Sequence, residues 1–376
     1  MLKAMKSKNR MRIPSFIIVL ICIITVSCID EIELDIPQDQ TDAFFIEGSL
    51  VSGNNEDYIE VIIDRVFDFE NASRKTIGVT SVVVSNDLNE SIALRRSNVT
   101  LFRIEITNDA NFSVAEGLKY KLNVILDNGE EFESDYSELR SAIQPNSFSQ
   151  EVVFREYFND PLRPTNGRVI EEFDLKVSSA LPSVGGIVWV INKIYKVTDS
   201  PYPGGSGAEY EMTRKVCYLT ERLSIDEIYV LDESTVAEDG VEDFTIVSDQ
   251  MSYYYDEGLM FSVSQRIVDS ETIAYLSAIE RLIDVGESIF DERPGRLLLG
   301  NMKSVNSETA QVFGHFYASG EYLTYVKAST ETVGVRDQYC PPDIACMGPG
   351  GCCWGICCDC DDHPNSTNEK PSWWID

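Results

Sequence analysis

Histidine is almost missing from this chain: His315 and His363 are the only two among 376 residues. Nucleophile–base catalysis needs a positioned base, most often histidine, and two isolated copies leave little room for it. His315 falls in an alternating hairpin pattern and reads as an ordinary strand residue, while His363 lies in the tail. No G-x-S-x-G elbow occurs, because Gly204-Gly205-Ser206-Gly207 lacks its spacing and its strand-to-helix setting. No H-E-x-x-H occurs either, which removes the commonest zinc-hydrolase arrangement. Positive charge is also scarce, with 31 Lys and Arg against 62 Asp and Glu. A chain this acidic is repelled by nucleic acid and by anionic lipopolysaccharide. The acidity is spread along the sequence and reads as solubility. The apolar run Phe16 to Ile24 is too short for the ~20 residues that span a bilayer as a helix.

That short run has another use. Lys3, Lys6, Lys8, Arg10 and Arg12 precede it, and Thr25-Val26-Ser27-Cys28 follow it. A basic start, a short apolar centre and a small residue before the cut make a secretory leader. With Cys28 at the cut, residues 1–27 resemble a bacterial lipoprotein signal, and Cys28 is the expected lipidation site. Several acyl chains, at ~0.8 kcal/mol per buried CH₂, hold a protein to a membrane where one does not. Removing the leader takes away five basic residues and no acidic ones, so the net charge falls from −31 to −36. Asp30, Glu31, Glu33 and Asp35 follow the cysteine. This cluster resembles the signal by which Bacteroidota send lipoproteins to the outer face of the outer membrane.

Ten cysteines are present. Cys22 leaves with the leader and Cys28 carries lipid, so eight remain: Cys217 in mid-chain and Cys340, Cys346, Cys352, Cys353, Cys357, Cys358 and Cys360 near the end. An even count outside the cytoplasm suits a disulfide framework. Because seven is odd, one tail cysteine must reach outside its cluster, and Cys217 is the available partner. Cys353, Cys357 and Cys360 with His363 invite a zinc reading, but their spacing is irregular for paired knuckles, so disulfides are preferred. Asp87-Leu88-Asn89-Glu90 and Asp109-Ala110-Asn111 place oxygen ligands alternately, without the glycine and distal glutamate of a calcium loop. No metal, cofactor or catalytic residue is therefore assigned.

With 43% hydrophobic residues the chain can bury a real core. The fold expected is mainly β, in two domains with a tail. Residues 28–42 read as a tether. Residues 43–143 read as an Ig-like or fibronectin-like β-sandwich, from short strands about every 8–12 residues with turns between them. Asp127-Asn128-Gly129 marks one tight hairpin. Residues 144–337 read as a larger β-rich domain, with Gln311–Ala318 and Tyr322–Ala328 expected as a hairpin turning at Ser319-Gly320-Glu321. One helix is expected near 270–285, capped by Asp269 or Ser270, with Ile273, Leu276, Ile279 and Ile283 on one face and Gly286 at its end. Residues 338–376 form a disulfide-rich tail that depends on its cross-links. Its Trp373-Trp374 pair either docks on this protein's own surface, the favoured reading, or meets a partner.

A series of short motifs then points to a family. They are Phe45-Ile46-Glu47-Gly48-Ser49-Leu50, Gly117-Leu118-Lys119-Tyr120-Lys121-Leu122, and Asp127-Asn128-Gly129-Glu130-Glu131-Phe132-Glu133-Ser134. Ala274-Tyr275-Leu276, Ser288-Ile289-Phe290-Asp291, Gly300-Asn301-Met302, Gly314-His315-Phe316-Tyr317-Ala318-Ser319 and the closing Asn368 to Trp374 complete it. In this order they resemble the Bacteroidota lipoproteins that carry the domain of unknown function numbered four-two-four-nine. The dense cysteine cluster departs from that pattern. The resemblance implies no activity. It implies an accessory lipoprotein of a TonB-dependent outer-membrane receptor. The function expected is a non-enzymatic, surface-exposed binding module on the outer membrane. The alternatives are a surface hydrolase using two converging carboxylates, or a structural protein of the cell envelope.

Overall fold

Strand alternation sets the architecture. In Asp57–Arg65 the side chains of Ile59, Val61 and Ile63 are buried while Tyr58, Glu60 and Ile62 between them are half-buried. That period of two is what one covered sheet face demands. The computed structural model describes residues 43–65, 77–107, 111–157, 168–199, 214–223, 229–232, 240–284, 300–307, 310–337, 340, 356–357 and 359–375. The lipidation and export residues Cys28, Asp30, Glu31, Glu33 and Asp35 lie outside this set, as do Cys346, Cys352, Cys353 and Cys358.

The protein is mainly β. The first segment holds β1 (Phe44–Gly53), β2 (Asp57–Arg65), β3 (Val79–Asn86), β4 (Ser91–Ala93), β5 (Arg95–Arg96), β6 (Leu101–Ile106), β7 (Lys119–Leu126), β8 (Glu131–Ser134) and β9 (Ser137–Glu138). The second holds β10 (Ser147–Tyr157), β11 (Arg168–Ala180), β12 (Gly186–Thr198), β13 (Val216–Arg222), β14 (Tyr229–Asp232), β15 (Gly240–Gln250) and β16 (Leu259–Val268). After helix α1 (Ser270–Asp284) come β17 (Met302–Ser304), β18 (Val312–Phe313), β19 (Phe316–Lys327), the one-turn α2 (Thr330–Val333) and β20 (Ser366–Thr367).

Eleven strands form one long sheet, ordered β20-β13-β12-β16-β19-β1-β2-β6-β5 with β14 and β18 added beside β12 and β1. A six-stranded sheet (β17-β8-β7-β3-β4 with β9) and a three-stranded sheet (β10-β11-β15) complete the fold. Ile46, Leu50, Ile59 and Val61 of the long sheet meet Val84, Leu122, Val124 and Phe132 of the six-stranded sheet in one core, the sandwich of the first segment. Ile187, Ile191, Phe261 and Val263 meet Phe173, Leu175, Val177 and Val247 of the three-stranded sheet in a second core. The strands before and after residue 143 share the long sheet. Among them β1 and β19 pair in parallel, and Met302, Val312, Phe316 and Ala318 return to the first core. Each strand thereby covers an edge that would otherwise be exposed.

Register places both cores on the same face of the long sheet. Leu50 stands beside Ala318, and Ile267, Val263 and Phe261 stand beside Gly320, Thr324 and Val326. Successive residues of a strand point to opposite faces. The other face therefore carries Val190, Asn192 and Ile194 of β12, Ser262, Ser264 and Arg266 of β16, and Glu321, Leu323 and Tyr325 of β19.

β19 corrects the hairpin expected at Ser319-Gly320-Glu321, because it is one uninterrupted strand of 12 residues. Gly320 serves close approach, not a turn. A Cβ built there would lie 2.3 Å from the Arg140 carbonyl oxygen and 2.4 Å from the Ala142 nitrogen. The chain passing from the first core to the second crosses β19 at this point, where only glycine leaves room. The Asn128-Gly129 hairpin is present, joining β7 to β8 with Gly129 at φ 88°. Helix α1 begins where the capping pattern puts it, with Thr272 N–H donating to Asp269 Oδ1 at 2.8 Å. Ile273, Leu276 and Ile279 pack on Val188 and Val268, so its apolar stripe is core contact.

Candidate functional site

The second face of the long sheet is covered in two places. Helix α1 caps the end at Val188 and Val268. At the other end Trp374 is buried with Ile194, Tyr218 and Met260, and Trp373 packs beside it. Between them lies a groove of about 260 Å³. Its floor follows the ladder: Asn192 faces Ser262, which faces Tyr325, and Val190 faces Ser264, which faces Leu323. Tyr58 of β2 and Arg103 of β6 close a third side.

Arg266 is the electrostatic centre of this face. Its side chain is 11% exposed and that of Glu321, directly across the ladder, is 6% exposed. The guanidinium Nε donates to Glu321 Oε1 at 3.1 Å and to Ser264 Oγ at 3.2 Å. Nη1 donates to the Tyr317 hydroxyl at 3.2 Å and Nη2 to the Tyr58 hydroxyl at 2.7 Å. Ser264 also donates to Glu321. Burial alone works against the arginine's charge, but Tyr317, Tyr58 and Glu321 outweigh it and raise its pKa. Burial pushes the Tyr58 phenol up to about 12, with Arg266 opposing the rise. Arg103 is paired as well, with Glu56 at 3.0 Å and Glu60 at 3.4 Å. The groove lining therefore sets two arginines, Arg103 and Arg266, against two carboxylates, Glu56 and Glu321, with Glu60 as a further partner of Arg103. Its polar contacts come from side-chain amides and hydroxyls.

The tail builds one wall. Cys217 of β13 is bonded to Cys360, with Cα atoms 5.9 Å apart, and Cys340 is bonded to Cys357. The expected link from Cys217 to the tail is thus present with Cys360 as partner. Beyond it β20 pairs with Tyr218 and Leu219 of β13. Trp373 then stacks on Tyr325 at 4.3 Å with the rings 6° from parallel, and Trp374 meets Tyr218 edge-on at 4.9 Å. Both tryptophans dock on this protein's own surface, and Trp373 remains half-exposed at the groove.

Other sequence candidates fall elsewhere. His315 is 2% exposed, its Nε2 3.0 Å from Thr272 Oγ1 and its ring stacked on Tyr275. Burial lowers its pKa to about 4, with Asp269 and Asp135 opposing. It is a neutral core residue at pH 7. Between pH 6.5 and 4 the unfolded chain binds a proton that the folded chain refuses, so stability falls as pH drops through this window. We expect His315→Gln to remove about 2–3 kcal/mol of the loss between pH 7 and pH 4.5 in urea unfolding. An acid loss identical to that of the parent protein would refute this role.

Cys217, Cys360 and Asp361 bring their donor atoms within 4.8 Å, but both sulfurs are spent on each other, and Cys357 is spent on Cys340. At Asp87–Glu90 the Glu90 carboxylate accepts from Asn86 across its own turn and from Ser113, 23 positions further along the chain. The buried pair Glu172 and Asp174 is held by Arg155, with Ser248 Oγ 2.9 Å from each. Burial tends to raise the Glu172 pKa, but hydrogen bonds from Tyr157, Arg155 and Ser248 prevail and lower it. A general acid needs the opposite shift.

Residues 29–323 match the family described as Domain of unknown function (DUF4249). The chain belongs to that family. No curated protein matches it. The DUF4249 match spans the first core, most of the second core and β19 through Leu323, and so includes most of the groove floor. The wall formed by Trp373, together with all the disulfide partners of the tail, lies beyond it.

Proposed function

We propose that this protein is a lipoprotein anchored through Cys28 in the outer membrane, displayed on the cell surface. There it works as a non-enzymatic binding module beside a TonB-dependent transporter. The observation that carries the reading is the groove between α1 and the Trp373 wall, on a sheet face that neither core uses. It presents paired charges and neutral polar groups, and among the described residues that line it there is no histidine or cysteine. The leader and the acidic run behind Cys28 support the anchor.

The test uses the full chain in its native host. Labelled palmitate is expected on the parent protein and absent from Cys28→Ser. Gentle detergent extraction followed by affinity isolation is expected to recover an outer-membrane β-barrel in near-equal amount. Recovery of the lipoprotein without any barrel would overturn the accessory role.

A further inference from the structure

The groove is built for a particular class of occupant. We infer that it binds an uncharged, polyhydroxylated ligand, a neutral glycan segment, which deepens the binding-module reading and rests on it. Charge argues first. Each arginine at the groove has its counter-charge within the site: Arg266 with Glu321 at 3.1 Å, and Arg103 with Glu56 at 3.0 Å and Glu60 at 3.4 Å. An anionic ligand would have to displace a carboxylate from its arginine, inside a protein of net charge −31. A cationic ligand would have to take the same carboxylates from the arginines.

Hydrogen bonding argues next. The floor lies on the face of the sheet, where the main-chain groups of β12, β16 and β19 are already joined in ladders. An extended peptide read through its backbone needs a free sheet edge, which this site lacks. Besides the paired charges and the apolar Val190, Ile194 and Leu323, the groove is lined by side-chain amide and hydroxyl groups. Asn192 Nδ2 donates to Ser262 Oγ at 3.1 Å, which leaves the amide oxygen as acceptor and the serine hydroxyl hydrogen as donor. Sugar hydroxyls both donate and accept, and they match such mixed pairs. Thr220, at the rim beside the tail, adds another hydroxyl.

The aromatic wall supplies the third element. Trp373 is clamped by Tyr325, so its ring is oriented before any ligand arrives. A rigid amphipathic aromatic covers the apolar C–H face of a sugar while leaving its hydroxyls to the floor. The volume of about 260 Å³ sits just under the range of small-molecule clefts, room for about one or two pyranose rings.

The experiment is an array that carries neutral oligosaccharides, sialylated and uronic-acid glycans, and unstructured peptides, probed with the oxidised mature chain. Neutral glycans are expected to bind, and titration calorimetry with the strongest of them is expected to show at least a tenfold loss in Trp373→Ala. Asn192→Ala, which leaves the tail untouched, is expected to lose affinity to a similar degree with an unchanged unfolding midpoint. Binding confined to charged glycans or to peptides would overturn the inference, and so would a blank array from folded protein or neutral binding unaffected in both variants. Neutral-glycan binding without a co-purifying barrel would remove the transporter role and keep this ligand class. A barrel partner with a blank array would do the reverse.

Discussion

Gly320→Ala is expected to destabilise the protein by about 3 kcal/mol, a large effect for one added methyl group. The position is mid-strand, in the single stretch of β19 that pairs with β1 on one side and β16 on the other. The new Cβ would meet Arg140 O at 2.3 Å and Ala142 N at 2.4 Å. Both obstacles are backbone, so no side chain can swing away to make room. Overpacking of this kind ordinarily costs about 1–3 kcal/mol, and main-chain obstacles place this site at the upper end. Urea unfolding monitored by far-ultraviolet circular dichroism reads the change. A cost below about 1 kcal/mol would mean that the crossing segment and β19 part freely, contrary to the packing described here. The consequence reaches the groove, because Glu321, Leu323 and Tyr325 follow directly on the opposite face.

Removing the Cys217–Cys360 bond through the paired change Cys217→Ala and Cys360→Ala is the second large perturbation. The bond closes a loop across a sequence separation of 143. In the chain-entropy account such a loop is worth up to about 5 kcal/mol, and the Cys340–Cys357 bridge bypasses only 17 positions of it. Changing both cysteines together avoids leaving a reactive thiol in a buried site. Urea unfolding of the oxidised proteins is expected to show a loss of about 3–5 kcal/mol. A loss of less than about 1 kcal/mol would place the tail outside the cooperative unit. Because β20 and Trp373 come after Cys360, the same variant is expected to show weaker protection of the Tyr218 and Thr220 amides, which face the tail strand, from hydrogen exchange.

Much of this architecture is legible in the sequence, for identifiable reasons. Ile59, Val61 and Ile63 fall on one face with Tyr58, Glu60, Ile62 and Asp64 on the other, and a half-buried strand writes that largely alternating pattern directly. Helix α1 carries its cap and its stripe within 15 residues. β10 is harder to read: Ser147–Tyr157 is half to fully exposed along its length, so its apolar signal is diluted. Gly320 misled for a physical reason. Glycine between polar residues marks a turn when the space is local, but here the demand for space comes from residues 180 positions away.

The groove residues left a faint trace only. Ser262, Ser264 and Arg266 alternate with Phe261, Val263 and Gln265 in β16, which identifies a face that is not core. Nothing local says that Glu321 would stand opposite Arg266, or that Tyr58 would reach its guanidinium from 208 residues away.

By itself, then, the sequence determined what is short-range or additive: the mainly β class from alternation, the capped helix α1 from its local pattern, and the parity that sends one tail cysteine to Cys217. Only the tertiary structure decided which sheet face stays open, which residues line it and where the tryptophans rest. Those outcomes depend on register between strands far apart in the chain, and a one-residue slip in register would turn every one of these side chains to the other face.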